Sequence, residues 1–165
     1  MAAMVNITIN GVESMGFNVC DTVGTGGKNR KDNGDVMLVQ VMLNLVAQHL
    51  DSRPSASNVG LKSMDELPEP TGTFDEKTRH AILSYQRRYH RALLRVDGVV
   101  HPASYRNRNI RFGRPGDLLM TITHLHWLLL NSPTLLAGQQ DYSLRLIGKF
   151  PKLFPLFQPA NTCGN

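Results

Sequence analysis

Arginine is the residue type whose placement first suggests chemistry in this 165-residue chain. Residues 77–114 hold ten basic side chains and one acidic side chain, Asp97, which gives the segment a net charge of +9. The rest of the chain holds eight basic and twelve acidic residues, a net charge of −4. Guanidinium groups bind carboxylates and phosphates through paired hydrogen bonds. This asymmetry indicates an anionic partner, or an acidic surface elsewhere on this protein or on a neighbour.

Histidine and cysteine, which could bind metals or take part in catalysis, follow no recognised pattern. The chain has neither an HExxH nor a GxSxG sequence. His124 and His126 would point in different directions on a helix, and Cys20 and Cys163 lie far apart without CxxC spacing. We therefore expect two free thiols, no metal, no cofactor, no catalytic residues and no enzymatic activity. Only a pair of carboxylates for glycoside cleavage stays open, because such pairs form in space.

The N-terminal residues predict a small β-hairpin. Residues 5–9 and 12–19 alternate apolar and polar side chains around Asn10-Gly11, which is typical of a tight turn between two strands. The glycine-rich residues 24–28 fail the P-loop pattern, since Thr22 and Asn29 occupy two of its defining positions. We expect a flexible connector there and no nucleotide site.

Two apolar-periodic stretches predict the helices that would position the basic residues. The first, residues 35–49, is apolar nearly all round, so it should be buried between the second helix and either the C-terminal third or a partner subunit. The second begins near Thr73, with Glu76 completing a capping box. Residues 51–72, rich in proline and serine, predict a long surface loop that is an insertion or a mobile arm.

The residues after the second helix predict a turn and further helices. Asp97-Gly98 forms the turn, and Pro102 suits the start of a short helix over residues 103–107. Asp117 is placed to cap a helix over residues 118–131. An apolar tail broken by prolines follows, and we expect it to pack on the spare face of the first helix in preference to a partner.

The order of these features resembles the peptidoglycan-binding domain family, small three-helix modules attached to many bacterial and phage cell-wall hydrolases. The residues that carry the resemblance are Asp35-Val36, Val39-Gln40, Leu43-Asn44, Gly72, Phe74, Thr78, Ala81-Ile82, Tyr85-Gln86, Asp97-Gly98-Val99-Val100 and Pro102. The loop between the first two helices is longer than the family's short linker, and Ser104 stands where the family usually has threonine.

The resemblance implies a mainly α fold in three parts. Residues 1–33 would form the β-hairpin and a glycine-rich lead-in. Residues 34–109 would form the three-helix module, with residues 51–72 inserted as a loop. Residues 110–165 would be a helical extension packed on that module.

The resemblance also implies a ligand, namely peptidoglycan or a muropeptide bound without catalysis. Arginine suits the carboxylates of stem peptides, and tyrosine rings can stack on sugar faces. We expect the ligand to bind where the second helix meets the Asp-Gly turn. The residues that flank this point are Arg88, Tyr89, Asp97, Tyr105 and Arg106.

Two other functions stay open. The chain could be a protein-interaction adaptor of a bacterial secretion or effector system, using its basic face or its apolar tail. Nucleic-acid binding through residues 77–114 is less favoured, because those residues contain no helix-turn-helix or RNP-like pattern. The N-terminal residues do not form a signal peptide, and no stretch is long enough to insert into a membrane. We therefore expect synthesis in the cytoplasm and delivery to the periplasm or cell envelope by a non-Sec route.

Overall fold

The computed structural model describes residues 2–9, 11–30, 34–49, 56–90, 94–103, 109–110 and 120–131. These residues form a small α+β fold, with about 46% of them in helices and 17% in strands. The prediction of a mainly α three-helix fold is therefore wrong. The physical reason is that strand pairing is not confined to the hairpin, since short segments beside the helices pair as well.

The N-terminal hairpin is confirmed. Strands β1 (Ala3–Ile9) and β2 (Val12–Asn18) pair antiparallel, with Ile9 opposite Val12 next to the turn. Strand β5 (Asn109–Ile110) runs parallel to β1, so the sheet has the order β2-β1-β5. The alternating residues Ala3, Val5 and Ile7 are buried on one face of β1. The third strand and this buried face give the hairpin the support that an isolated pair of strands lacks.

The glycine-rich stretch is an ordered turn, contrary to the flexible connector that we expected. Strand β3 (Val23–Gly24) pairs antiparallel with β4 (Val99–Val100). The side chain of Asn29 closes the turn, because its Oδ1 accepts from the Gly24 N–H at 2.8 Å and its Nδ2 donates to the Gly24 carbonyl at 2.8 Å. The pairing of β3 with β4 attaches the residues that precede the first helix to those that follow the second helix.

Three α-helices lie in the described part of the chain: α1 (Asp35–His49), α2 (Glu76–Arg88) and α3 (Thr121–Leu130). The bounds of α1 agree with the prediction. Its buried apolar side chains are Val36, Leu38, Val39, Val41, Met42, Leu43, Leu45, Val46 and Ala47. A helix that is apolar all round must be covered on more than one side, and α1 contacts α2, α3 and the 3₁₀ turn at Ala56–Val59. None of the helices described is long and apolar enough to span a bilayer.

The loop between α1 and α2 is not the exposed arm that its composition predicted. Residues 56–72 form two 3₁₀ turns, Ala56–Val59 and Met64–Glu66. Apolar side chains scattered between the prolines and serines enter the core, among them Val59, Leu61 and Leu67. The segment is a loop, as predicted, but the prediction that it lies wholly on the surface is wrong for residues 56–72, because a few well-spaced apolar residues suffice to anchor it. Residues 51–55 lie outside the described ranges.

The predicted capping box of α2 is also wrong. The helix begins at Glu76, and Asp75 is its N-cap, with a carboxylate that accepts from the Thr78 N–H at 2.7 Å. Glu76 instead forms an ion pair with Arg79. Helix α3 confirms the helix predicted over residues 118–131 from Thr121 onward, whereas Asp117 lies outside the described residues. So do residues 104–108 of the predicted closing helix and the apolar tail.

Cys20 is disulfide-bonded, so the expectation of a free thiol is wrong at this position. The other cysteine of the chain, Cys163, lies outside the described residues. The backbone at Cys20 is held by the buried Asp35 at the start of α1. One oxygen of Asp35 accepts from the Cys20 N–H at 3.1 Å and the other from the Asp21 N–H at 2.8 Å. Burial raises the pKa of Asp35, although these two hydrogen bonds oppose that effect.

Candidate functional site

One buried amide fixes the place where α2 meets the Asp-Gly turn. Gln86 is fully buried near the C-terminal end of α2. Its Oε1 accepts from the Gly98 N–H at 2.8 Å, and its Nε2 donates to the Val99 carbonyl at 2.9 Å and to Thr121 Oγ1 at 3.1 Å. A single side chain therefore holds the end of α2, the turn and the beginning of α3 together.

Asp97, one of the predicted ligand-binding residues, is engaged in internal contacts. Its Oδ1 accepts from the Val99 N–H at 2.9 Å and from Gln86 Nε2 at 3.1 Å. Its Oδ2 lies 3.5 Å from Arg95 Nε and 3.5 Å from His101 Nε2. The carboxylate thus shapes the turn and places two basic side chains beside it. In this geometry a ligand would contact Arg95 or His101 more readily than Asp97 itself.

Tyr89, a second predicted residue, is half-buried at the C-cap of α2. Its ring centroid lies 4.7 Å from that of His124 on α3 and 5.0 Å from that of Tyr85. A hydrogen bond of 2.6 Å joins Tyr85 Oη to His124 Nδ1. Burial lowers the pKa of His124 to about 4, so the imidazole is neutral at pH 7. One side of the Tyr89 ring therefore rests on a rigid, uncharged aromatic support.

Arg88, the third predicted residue, is exposed on the side of α2 that faces the first 3₁₀ turn. A Cβ placed on Gly60 would lie 3.4 Å from the Arg88 Cβ. The neighbouring Arg87 is exposed as well, and its carbonyl oxygen accepts a hydrogen bond of 2.8 Å from His90 Nδ1. Within the described ranges no carboxylate forms an ion pair with Arg87 or Arg88. We call Arg87, Arg88 and His90 the basic end of α2.

The other cations of α2 are already engaged. Arg79 pairs with Glu76 on the preceding turn, and Lys77 Nζ donates to the Asp65 carbonyl at 3.1 Å. The carbonyl does not neutralise Lys77. What distinguishes the basic end of α2 is that it holds two consecutive exposed guanidinium groups that form no ion pair with a described residue.

Arg88, Tyr89 and Asp97 all lie near the C-terminal end of α2, but they point to different neighbours: Gly60, His124 and Gln86 respectively. Tyr105 and Arg106 lie outside the described residues. The five residues stay a prediction as a ligand site. Sequence reasoning missed the part played by Gln86. An uncharged polar residue inside the apolar stripe of a helix is the signal that could have indicated it, because a buried amide must find partners. Nothing in the local sequence indicated that Thr121 would be one of them.

A second, partly buried contact joins Ser14 Oγ on β2 to His126 Nε2 on α3 at 3.2 Å. A serine beside a histidine is the arrangement of an activated nucleophile. Burial lowers the pKa of His126 to about 3, however, and a base that weak removes a hydroxyl proton poorly at neutral pH. We interpret the pair as a packing contact. Among the residues described, no group of His, Cys, Asp and Glu side chains is arranged to hold a metal ion.

Comparison of this chain with protein-family models, with curated proteins and with solved structures finds no match. The resemblance to the peptidoglycan-binding domain family therefore stays a prediction. The function has to be argued from the contacts of this chain's own residues.

Proposed function

We propose that the protein binds peptidoglycan or its soluble fragments without catalysing a reaction, through the basic end of α2. The observation that carries this proposal is the exposure of Arg87 and Arg88, which form no ion pair within the described ranges and directly precede the packed Tyr89 in the chain. The resemblance of the helical motifs to a wall-binding family supports the same assignment.

The chemistry of the ligand suits these side chains. Stem peptides of peptidoglycan present carboxylates, and a guanidinium binds a carboxylate through two parallel hydrogen bonds. Sugar rings present apolar faces on which a tyrosine ring can pack. Tyr89 is already held by His124 and Tyr85, so its ring would lose little further freedom on binding. Such preorganisation lowers the entropy lost on association.

The compartment in which peptidoglycan lies is compatible with the disulfide at Cys20. Disulfides form and persist in oxidising surroundings such as the bacterial periplasm, and are rare in the cytosol. This supports a location in the cell envelope. It does not distinguish one delivery route from another.

A pull-down on purified peptidoglycan, with a salt series, tests the proposal. We expect the wild-type protein in the pellet at low salt and about tenfold weaker binding for Arg88→Ala, which corresponds to the loss of one charge-assisted contact. Arg79→Ala is the matched control, since it removes the same charge from the same helix at a residue paired with Glu76. The proposal fails if the wild-type protein stays in the supernatant, or if both variants weaken binding equally.

An acidic protein surface is the second candidate ligand for the basic end of α2. Val96, with 43% of its surface exposed, lies next to Arg95 and would add an apolar contact that suits a protein partner. Titration of a soluble muropeptide by calorimetry separates the two candidates. Heat of binding that is lost in Arg88→Ala supports the wall ligand. No heat of binding, together with co-purification of an acidic protein encoded by a neighbouring gene, supports the adaptor.

A further inference from the structure

Two buried histidines attach α3 to different parts of the fold. His124 and His126 are at most 1% exposed. His124 is hydrogen-bonded to Tyr85 on α2 at 2.6 Å, and His126 to Ser14 on β2 at 3.2 Å. Because the two residues are two positions apart on a helix, their side chains point in different directions. Helix α3 is thus joined to α2 by one imidazole and to the hairpin by the other.

The described side chains in contact with His124 are uncharged. Tyr85 and Tyr89 are the titratable groups that face it from α2, and Trp127 packs beside it on α3 itself. Burial raises the pKa of Tyr85 well above its usual value, so that phenol is neutral as well. Helix α1, which also packs against α3, has titratable side chains only at its two ends, Asp35 and His49. Asp35 is bonded to the backbone N–H groups of Cys20 and Asp21. Among the described residues that contact its ring, a proton on His124 would therefore be buried beside neutral groups.

The surroundings of His126 within the hairpin are uncharged and tight. A Cβ placed on Gly16 of β2 would lie 2.6 Å from His126 Cε1 and 2.7 Å from Ile7 Cδ1. Strand β1 has no charged side chain, and the one charged residue of β2, Glu13, is exposed. The His126 ring is therefore fully buried, packed closely against the backbone of β2 at Gly16 and bonded to the uncharged Ser14 hydroxyl.

We propose that α3 is an acid-sensitive clasp, which protonation of His124 and His126 detaches from α2 and the β-hairpin before the α1–α2 pair unfolds. The α1–α2 pair is connected through Gln40, whose amide donates to Thr78 Oγ1 at 2.9 Å, and no histidine takes part in that contact. Helix α3 has the corresponding amide contact between Gln86 and Thr121, but its attachment also includes the two imidazoles. Detachment would expose the apolar side chains Ile122, Leu125 and Leu129 of α3 together with the face of α1 that they cover.

The direction in which the docking of α3 depends on pH follows from the pKa of each imidazole in the docked and the detached state. Burial lowers the pKa of His124 to about 4 and that of His126 to about 3, against 6.5 in an unfolded chain. Between pH 6.5 and pH 4 the detached helix binds more protons than the docked helix, so docking weakens as pH falls. At pH 4.5 each histidine would weaken docking by up to about 100-fold, one factor of ten for each pH unit below 6.5.

Hydrogen exchange at pH 7 and pH 4.5, corrected for the intrinsic rate, tests the proposal on the wild-type protein. We expect the α3 amides to lose at least about 100-fold in protection, and the α1 amides to lose clearly less. Equal protection of α3 at both pH values would overturn the proposal. A loss of the same size in all three helices would do so too, because it would mean global unfolding.

Two substitutions separate the buried imidazoles from general acid effects. His124→Gln with His126→Gln removes both titrations, so the pH dependence of α3 protection should shrink to a small fraction of the wild-type effect. His80→Gln removes an exposed imidazole outside the basic end of α2 and should leave the wild-type dependence intact. If the double variant does not fold at pH 7, the wild-type comparison and each single variant still decide the matter. An unchanged dependence in the glutamine variants contradicts the clasp.

Discussion

Gln40 on α1 and Gln86 on α2 make corresponding hydrogen bonds, each to a glycine and to a threonine that follow it in the chain. The Oε1 atom of each accepts from the N–H of a glycine, Gly72 at 2.9 Å and Gly98 at 2.8 Å. Both glycines have positive φ, +76° and +72°, a conformation that side-chain-bearing residues rarely adopt. Each helix therefore carries a buried amide that fixes the glycine turn ahead of the next helix.

The other atom of each amide reaches the next helix itself. Gln40 Nε2 donates to Thr78 Oγ1 at 2.9 Å, and Gln86 Nε2 donates to Thr121 Oγ1 at 3.1 Å. Thr78 and Thr121 both lie in the first turn of their helices. Helix α3 is thus tied to α2 in the way that α2 is tied to α1. The step from one helix to the next is built twice with the same residue types.

The first prediction concerns these amides. Gln86→Leu should lower the free energy of unfolding by about 2–4 kcal/mol, because it leaves buried N–H and hydroxyl groups without their partner. Urea denaturation followed by circular dichroism measures the change. Arg87→Leu is the matched control on the next residue, exposed to solvent, and should stay within about 0.5 kcal/mol of the wild type. A loss below about 1 kcal/mol for Gln86→Leu would show that the amide does not hold α3.

Local sequence predicted the elements whose signals lie within a few residues. The Asn10-Gly11 turn and the alternation around it predicted the hairpin, and apolar periodicity predicted α1 within its observed bounds. The exposure of residues 56–72 was predicted wrongly, because proline and serine dominate a loop in which a few apolar residues determine the packing. The strand pairing of Val23–Gly24 with Val99–Val100 joins segments far apart in the chain, which periodicity cannot reveal.

The position of the candidate site could be predicted from the sequence, whereas the contacts of its side chains could not. Arg88 and Asp97 could be placed at the same end of α2 from the length of the helix and the turn that follows it. The hydrogen bonds of Asp97 with Val99 and Gln86 could not be predicted, since they depend on how the turn lies against the helix. The aromatic support of Tyr89 depends on α3, whose position relative to α2 no local pattern encodes.

The second prediction concerns the carboxylate at the start of α1. Asp35→Asn should destabilise the protein by about 1–3 kcal/mol, because an amide nitrogen would face one of the two N–H groups that now donate to Asp35. Those groups are the backbone N–H of Cys20 and of Asp21. Thermal denaturation measures the effect, with the exposed Asp65→Asn as the control. Equal melting temperatures for the two variants would contradict a structural role for Asp35.

The third prediction concerns the disulfide at Cys20. Reduction with dithiothreitol should lower the free energy of unfolding by about 2–5 kcal/mol, the usual effect of removing a native disulfide. Cys20→Ser should show a similar loss and no further response to the reductant, which makes it the control. Alkylation of the untreated native protein at Cys20, detected by mass spectrometry, would show a free thiol and contradict the prediction.

The fourth prediction compares two glycines of one turn. A Cβ on Gly24 would lie 2.3 Å from the Gly98 carbonyl oxygen and 2.7 Å from the Val99 Cα, so the pairing of β3 with β4 would have to open. A Cβ on Gly26 would meet nothing within 4 Å, although its φ of +77° is also unfavourable for alanine. Gly26→Ala should therefore carry only the backbone penalty of about 1–2 kcal/mol.

Gly24→Ala should lose clearly more than that penalty, because backbone atoms cannot rotate away as a side chain can. It should also increase hydrogen exchange at Val100, whose strand pairs with Val23. Since the Asp97-Gly98 turn precedes this strand, Gly24→Ala should weaken binding at the basic end of α2 as well, whereas Gly26→Ala should not. Equal stability of the two variants would mean that the β3–β4 pairing does not constrain the turn.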